Sequence, residues 1–492
     1  MELSNELEAN LRELASAGPV ELRENGARVA PLSTLSWEVR GTPAKPLLHL
    51  WSAQHNLTRR VLAITDQSEE RLALAVERFG RSRPDRLEFV RVSMERSARD
   101  LNREEFCRWI TAVCATQFPD ETPESFSTHQ DLEHSLSGNY PRGSLRSGKS
   151  FWAVLAANES ETTGNAARCV AFGLLWLDHL RGSANRGSVA GLRLLLPKEL
   201  VAAVVHLLPA IHSQIRLEIY EYDRAREILE QVTPSSLTNL SSWLVPFREA
   251  QSLFDRAKPD LDRIISLAPA RIAVHPNVPS RQVTLRFHGL SFARWDDGKL
   301  FFGVPDSRQE LTASNHNQLR HLLRDLEVHR NSLASDVMHS RYRAQPERWL
   351  ESLVREDVTR IDAALDRRFA YTQVLANAGG EHGILDVLSV TRSGRVAILE
   401  LKASEFLSLP LQAADYWLRI RRHLEQGDLT RYGYFPGVEL QTAPPIIYLV
   451  APALRFHPVT DRLLRMLTPQ LEFVRVGLSE NWRRGIRVVL RQ

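Results

Sequence analysis

The chain has 492 residues with 25% charged side chains and a formal charge of only +4, so it is long enough for two or three full cores, and any nucleic-acid surface must be a local patch. Its three cysteines, Cys107, Cys114 and Cys169, make neither a disulfide framework nor a thiolate zinc site, and no apolar run approaches the ~18 residues that span a membrane. Met1-Glu2-Leu3-Ser4 opens no secretory signal, so a cytoplasmic protein with no membrane partner is expected.

Residues 1–117 read as an N-terminal α+β domain. Segments 36–40, 47–51 and 61–65 are strand-like, Asp66 with Glu69 forms a capping box that predicts a helix, and 87–92 returns to a strand. Residues 118–260 read as a central α/β domain. They are loop-rich as far as 150, with Phe118-Pro119-Asp120 and a Ser/Gly/Pro run marking the boundary. From Asn165 to about Tyr222 the pattern is helix, strand at 191–196, helix at 199–208 and strand at 215–222.

Within this domain, Gly143-Ser144-Leu145-Arg146-Ser147-Gly148-Lys149-Ser150 satisfies the Walker A pattern. A phosphate-binding loop should leave a buried strand and enter a helix. Here the preceding residues are polar and turn-rich, while Phe151-Trp152-Ala153-Val154-Leu155 reads as a strand. The order is inverted, and ATP is not expected as a partner.

Residues 261–340 should hold a β-hairpin and a linking helix. Asp297-Gly298 supplies a tight turn within the hairpin at 283–304. The helix is predicted over 314–338, carrying His316, Arg320, Arg324, His329 and Arg330, with the first three on one face.

Residues 341–492 carry the chemistry. Pro346 opens a helix with Leu350, Val354, Ile361 and Leu365 on one stripe, bordered by Glu351. Residues 383–390 and 395–402 are aliphatic runs that read as a hairpin. If Arg392-Ser393-Gly394 is a three-residue loop with Gly394 left-handed, Thr391 pairs with Arg395, and counting outward sets Asp386 opposite Glu400. Directly opposed residues have Cβ atoms about 4.5–5.5 Å apart, so two carboxylates converge, with Lys402 on the face of Glu400. A lone Glu-x-Lys is usually a sheet-edge salt bridge, but this run is too apolar for an exposed edge. Facing carboxylates in an apolar sheet repel each other, and a divalent cation relieves that; all-oxygen ligands favour Mg²⁺ or Mn²⁺. Pro410 then starts a helix with Leu411, Ala414 and Leu418 inside, while Gln412, Tyr416, Arg419 and His423 recur on a second face, where the last three are candidate nucleic-acid contacts.

A helix with Glu351, a strand with Asp386, a strand with Glu400-Leu401-Lys402 and a helix with Gln412 resemble the PD-(D/E)XK nuclease superfamily, in its branch with a Gln after the Lys. The resemblance covers about the last 150 residues. It implies a restriction-endonuclease-like core of helix, three strands, helix and strand, a mixed sheet flanked by helices and preceded here by α+β domains. It also implies that Asp386 and Glu400 ligate Mg²⁺ or Mn²⁺, that Lys402 is the catalytic lysine, that Glu351 supports the site and that Gln412 positions water or phosphate. Glu347, one turn earlier, is the alternative first-helix acid. The Pro of the family motif is absent, Ile384-Leu385 standing before Asp386. The helix and strand alternation within 118–260 is also compatible with a second, degenerate nuclease-like half, though it lacks an Asp and Glu-x-Lys set. The expected activity is a metal-dependent nuclease, most simply a DNA endonuclease, with a protein partner or homodimer also compatible. The alternative is an inactive nucleic-acid-binding or assembly protein retaining the fold.

Overall fold

The computed structural model describes the chain except residues 1–2, 17, 19, 26, 43–44, 52–55, 69, 78–84, 92–95, 132, 184–187, 234–241, 270, 304–307 and 379–380. It is a mixed α+β protein that divides into two compact units, Met1–Phe106 and Cys107–Gln492. No helix among the described residues is long and apolar enough to cross a membrane.

In the first unit, helix α1 (Leu3–Ser16) precedes strands β1 (Val20–Glu24), β2 (Ala27–Pro31), β3 (Ser36–Thr42), β4 (Lys45–Trp51), β5 (Asn56–Ser68), β6 (Arg71–Glu77) and β7 (Asp85–Arg91). They form one antiparallel sheet in the order β2-β1-β7-β6-β5-β4-β3. Leu7, Leu11 and Leu14 recur at helical spacing and are buried in the core that the sheet also lines. The helix predicted after Asp66 is absent, and the chain turns instead into β6. Leu72, Leu74 and Val76 are all buried, so their period of two outweighs the helical propensity of the intervening alanines. Glu69 of the supposed capping box lies outside the described residues.

Helix α2 (Arg96–Gln117) carries the boundary between the units, eleven residues before the position 117 at which the sequence predicts the first domain to end. In the second unit, the central sheet contains β8 (Thr122–Ser127), β9 (Arg142–Ser147), β10 (Ser150–Ala156), β11 (Ser188–Pro197), β12 (Leu217–Asp223) and β13 (Ile228–Gln231) in that spatial order. Helix α3 (Ala166–Gly182) links β10 to β11, and α4 (Lys198–Leu207) links β11 to β12. Strand β14 (Ser242–Leu244) and helix α5 (Phe247–Ile265) follow.

Next comes a five-stranded meander of β15 (Ile272–Asn277), β16 (Gln282–Phe287), β17 (Leu290–Asp296), β18 (Lys299–Phe302) and β19 (Gln309–Glu310), then helices α6 (His316–His329), α7 (Ser340–Arg343) and α8 (Pro346–Glu356). The last sheet holds β20 (Leu365–Ala378), β21 (Glu381–Thr391), β22 (Val396–Leu401), β23 (Ile446–Pro452), β24 (Glu472–Leu478) and β25 (Val488–Arg491), with β14 added at the β20 edge. Helix α9 (Leu409–Glu425), followed by the short α10 (Asp428–Arg431), joins β22 to β23, and α11 (Thr460–Leu464) lies between β23 and β24.

The central and last sheets repeat one topology. Each pairs its first three strands antiparallel, its next two in parallel, and its last antiparallel, with helices entering at the same two connections. The two copies meet through their helices, α9 lying against α3 and α4, and α11 against α3. Their apolar residues merge into one core.

The small meander is tied to α8 by two features. Asp297 and Gly298 are both left-handed, as the predicted tight turn requires, and His288 and Gly289 make a second such turn between β16 and β17. At Gly289 a Cβ would lie 2.0 Å from the Arg348 carbonyl oxygen, so only glycine lets this hairpin tip reach α8. Helix α6 ends at His329 rather than running to 338, because the Asn331 side-chain amide donates to the Glu327 and Val328 carbonyls and closes the last turn. Arg330 is consequently not part of an exposed basic face. It is fully buried, donates to the carbonyls of His288, Arg341, Ala344 and Gln345, and sits 4.8 Å above the Trp349 ring. Arg330→Ala leaves those carbonyls unsatisfied and should cost ~3 kcal/mol or more in urea unfolding, and Arg330→Lys should not restore it, because one ammonium cannot serve the same fork.

Candidate active site

The hairpin of β21 and β22 runs in the register counted from its loop. Gly394 is left-handed at φ 89°, the Thr391 N–H donates to Arg395 O at 2.8 Å, and the pairs Val390/Val396 to Val387/Leu399 follow. One step further, Asp386 stands opposite Glu400. There the main-chain ladder stops, and the Leu401 N–H is taken at 3.0 Å by Oδ2 of Asp386. The central copy finishes its equivalent hairpin differently, with Ala156 N–H donating to the Pro141 carbonyl at 2.9 Å. A carboxylate has thus replaced a carbonyl as acceptor, and it holds Asp386 at the point where the two strands part.

Glu400 is 1% exposed. Its Oε1 accepts from Lys402 Nζ at 2.8 Å, while Oε2 is buried and finds no hydrogen-bond partner in the protein. Burial, reinforced by the Asp386 charge, pushes its carboxyl up to about 8. Burial also raises Asp386, against the pull of Lys402 and the Leu401 N–H. For Lys402, burial opposes the charged form, but the Glu400 and Asp386 carboxylates outweigh it and raise the ammonium above its ordinary value.

Helix α8 brings the third acid. Trp349, Leu350 and Val354 are buried, and Glu351 shares their inward surface at 3% exposure. Its Oε2 accepts from Arg348 Nη1 at 2.6 Å and from Gln373 Nε2 at 2.7 Å, and burial lifts the carboxyl to about 7. The same Arg348 nitrogen is 3.4 Å from Asp386 Oδ1, so one guanidinium spans two acids. Gln373 is left-handed inside β20, at φ 57°, and the pairs on either side place it across from Asp386. That conformation costs about 1 kcal/mol or more in a side-chain-bearing residue and here turns the amide onto Glu351. Neither Arg348 nor Gln373 is singled out by the sequence reading. The Arg348 to Glu351 spacing is a detectable i,i+3 pair, whereas nothing local marks Gln373.

Helix α9 enters from the other side. Gln412 donates to the Tyr416 hydroxyl at 3.1 Å, while Gln412 Oε1 is buried without a partner in the protein. Both residues line an open cleft of about 690 Å³, together with Asp386, Lys402, Arg348 and Glu347. Glu347 accepts from the Ser404 hydroxyl at 3.4 Å, and its charge is felt by both Asp386 and Lys402. Arg419 and His423 do not reach this cleft and are corrected as nucleic-acid contacts. Each is 2% exposed, Arg419 bonded to Asp415 and the Ala376 carbonyl, and His423 to Asp428 at 2.6 Å. The physical reason is that this face of α9 is turned onto β20 and the start of α10, whose Ala376 carbonyl and Asp428 carboxylate take up the two side chains.

The described residues of the central copy do not repeat this centre. The matching hydrogen bonds to β11 and β23, Ala157 to Leu195 and Lys402 to Val450, align the two copies residue by residue. Arg142, Leu155 and Ala157 then occupy the places of Asp386, Glu400 and Lys402. Arg142 is buried and bonded to the His129 and Ser137 carbonyls. The Walker-like segment is the β9–β10 hairpin with Gly148 and Lys149 as its turn, and no helix N-terminus follows it.

The donor set fits a hard divalent cation. It is all oxygen, one buried carboxylate oxygen is unpartnered, and burial holds both acids above their ordinary values despite Lys402 and Arg348. Asp386 and Glu400 would hold it, with the Gln412 carbonyl oxygen facing the same cleft.

Because Glu400 and Glu351 titrate above their ordinary 4.5, at about 8 and about 7, the folded chain binds more protons than the unfolded chain across that window. Stability in EDTA should therefore fall as pH rises from about 5 to about 8. Glu400→Gln should flatten the slope and raise stability at the upper end, as read by urea unfolding at stepped pH. Compared with protein-family models and with curated proteins, the chain matches none.

Proposed function

We propose that residues 341–492 form a PD-(D/E)XK-type nuclease core that hydrolyses phosphodiester bonds of DNA with Mg²⁺ or Mn²⁺. The observation that carries this reading is the convergence of Asp386, Glu400 and Lys402 at the splayed end of one hairpin, open to a cleft and carrying a buried, unpartnered carboxylate oxygen. The element order supports it: α8, then β20, β21 and β22, then α9 and β23. That order agrees with the helix, three strands, helix and strand expected of a restriction-endonuclease-like core.

The bound cation would lower the pKa of a water molecule and offset charge on the phosphate. The chain's own residues do the rest. Lys402, held by Glu400 and stacked 4.8 Å from the Phe406 ring, presents an ammonium proton to the attacking oxygen or to a nonbridging phosphate oxygen. Arg348 fixes the relative positions of Glu351 and Asp386. Gln412, anchored on Tyr416, offers its carbonyl oxygen to the water or to the cation.

The repeated topology supports a further detail. One copy carries the acids and the other carries Arg142, Leu155 and Ala157 at the same places, so each chain would have one cleaving centre. Asp386→Ala and Lys402→Ala should each lower cleavage by about 10²-fold or more while DNA binding persists. Retention of full cleavage by both variants would sink the assignment. On supercoiled plasmid the wild-type protein should yield nicked circles before linear product, as resolved by gel over a single-turnover time course.

A further inference from the structure

The meander supplies the wall opposite the carboxylates. Along β16, Val283, Leu285 and Phe287 are fully buried in the small domain's core, so Thr284 and Arg286 occupy the other face. Thr284, Arg286 and Ser291 line the same cleft as Asp386 and Lys402. Pairing across the sheet sets Ser291 beside Arg286 and Arg294 beside Thr284, and Arg308 donates to the Ser291 hydroxyl at 2.7 Å.

Three guanidinium groups therefore lie on one small surface. Each has a nitrogen that is buried and without a hydrogen-bond partner in the protein: Nη1 of Arg286, Nε of Arg294 and Nε of Arg308. Arg286 is attracted to Glu351, but Oε2 of that acid already accepts from Arg348 and Gln373, and no hydrogen bond to Arg286 forms. Burial and the neighbouring Arg348 charge both disfavour the Arg286 cation. Arg294 also pairs with Asp296 at 3.7 Å and Arg308 is bonded to Ser291, so Arg286 is the one of the three with neither a hydrogen bond nor an ion pair among the described residues; a desolvated guanidinium of this kind is destabilising, and an anion with several acceptor oxygens satisfies it.

We propose that this face of β16 and β17, centred on Arg286, receives the phosphodiester backbone of DNA and presses it toward Asp386 and Lys402, so that the meander is the substrate-gripping half of the active site. The inference rests on the nuclease reading above and adds the residues that hold the substrate. Phosphate is the fitting ligand because the wall offers forked N–H donors and hydroxyls with no carboxylate of its own among its cleft-lining residues.

The test uses a fluorescein-labelled DNA duplex, with anisotropy read over a salt series in the full-length Asp386→Ala protein, with and without Arg286→Gln. Arg286→Gln should weaken binding about tenfold or more and reduce the slope of log K against log salt by about one. Its melting temperature should stay the same or rise, because a buried unpaired cation has been removed. Arg286→Lys should keep the slope near the parent value while recovering only part of the affinity. An unchanged slope for Arg286→Gln overturns the proposal, and a lowered melting temperature with that result identifies Arg286 as a structural partner of Glu351. If the parent itself fails to bind the duplex and the wild-type protein fails to cut it, the nuclease reading falls and this wall with it.

Discussion

Two carboxylates held side by side within a sheet that is apolar on both faces are the constraint around which the second unit is organised. Asp386 and Glu400 are nearly sealed from water; burial makes both harder to ionise, and the Asp386 charge adds to the penalty on Glu400. The surrounding residues offset that penalty from several directions: Lys402 from the same strand, Arg348 from α8, and the Leu401 N–H from the main chain itself. One oxygen of Glu400 is left over. That oxygen is the feature on which the proposed cation site rests.

The central copy shows what the same topology becomes without that constraint. Its ladder closes with an ordinary main-chain bond at Ala156, and an apolar side chain stands where Glu400 would be. Arg142, in the place of Asp386, is absorbed by nearby carbonyls. Its helices α3 and α4 complete the core beneath α9. One copy has thus become the packing partner of the other.

The meander is bound to α8 by a hairpin tip that tolerates no Cβ and by one buried arginine that gathers four carbonyls. Rigid attachment matters because the meander and α8 contribute to the same cleft from opposite sides. A loosely tethered domain could not hold Arg286 and Arg348 at fixed positions relative to the acids. In the proposed nuclease, gripping and cleaving groups therefore come from different sheets joined at a stiff corner.

Much of the centre was legible in the amino-acid sequence, and the reason is local. A short loop ending in a left-handed glycine leaves one favourable register, and the period of two along each strand then decides which side chains oppose, so Asp386 and Glu400 could be paired by counting. Pro346 and Pro410 likewise marked where α8 and α9 begin. What sequence could not supply was any feature set by contacts between distant segments. The basic side of α9 looked exposed because the β20 carbonyl and the α10 carboxylate that take up Arg419 and His423 meet it only in the folded chain. The strand after Asp66 looked helical because its sheet neighbours decided the matter. Gln373, Arg348 and Arg286 reach the acids only once β20, α8 and β16 have packed together. Sequence by itself determined the hairpin and its charges, since these depend on neighbours within about twenty residues; tertiary structure alone decided which charges are buried, paired or left without a partner, because desolvation depends on what packs against a face.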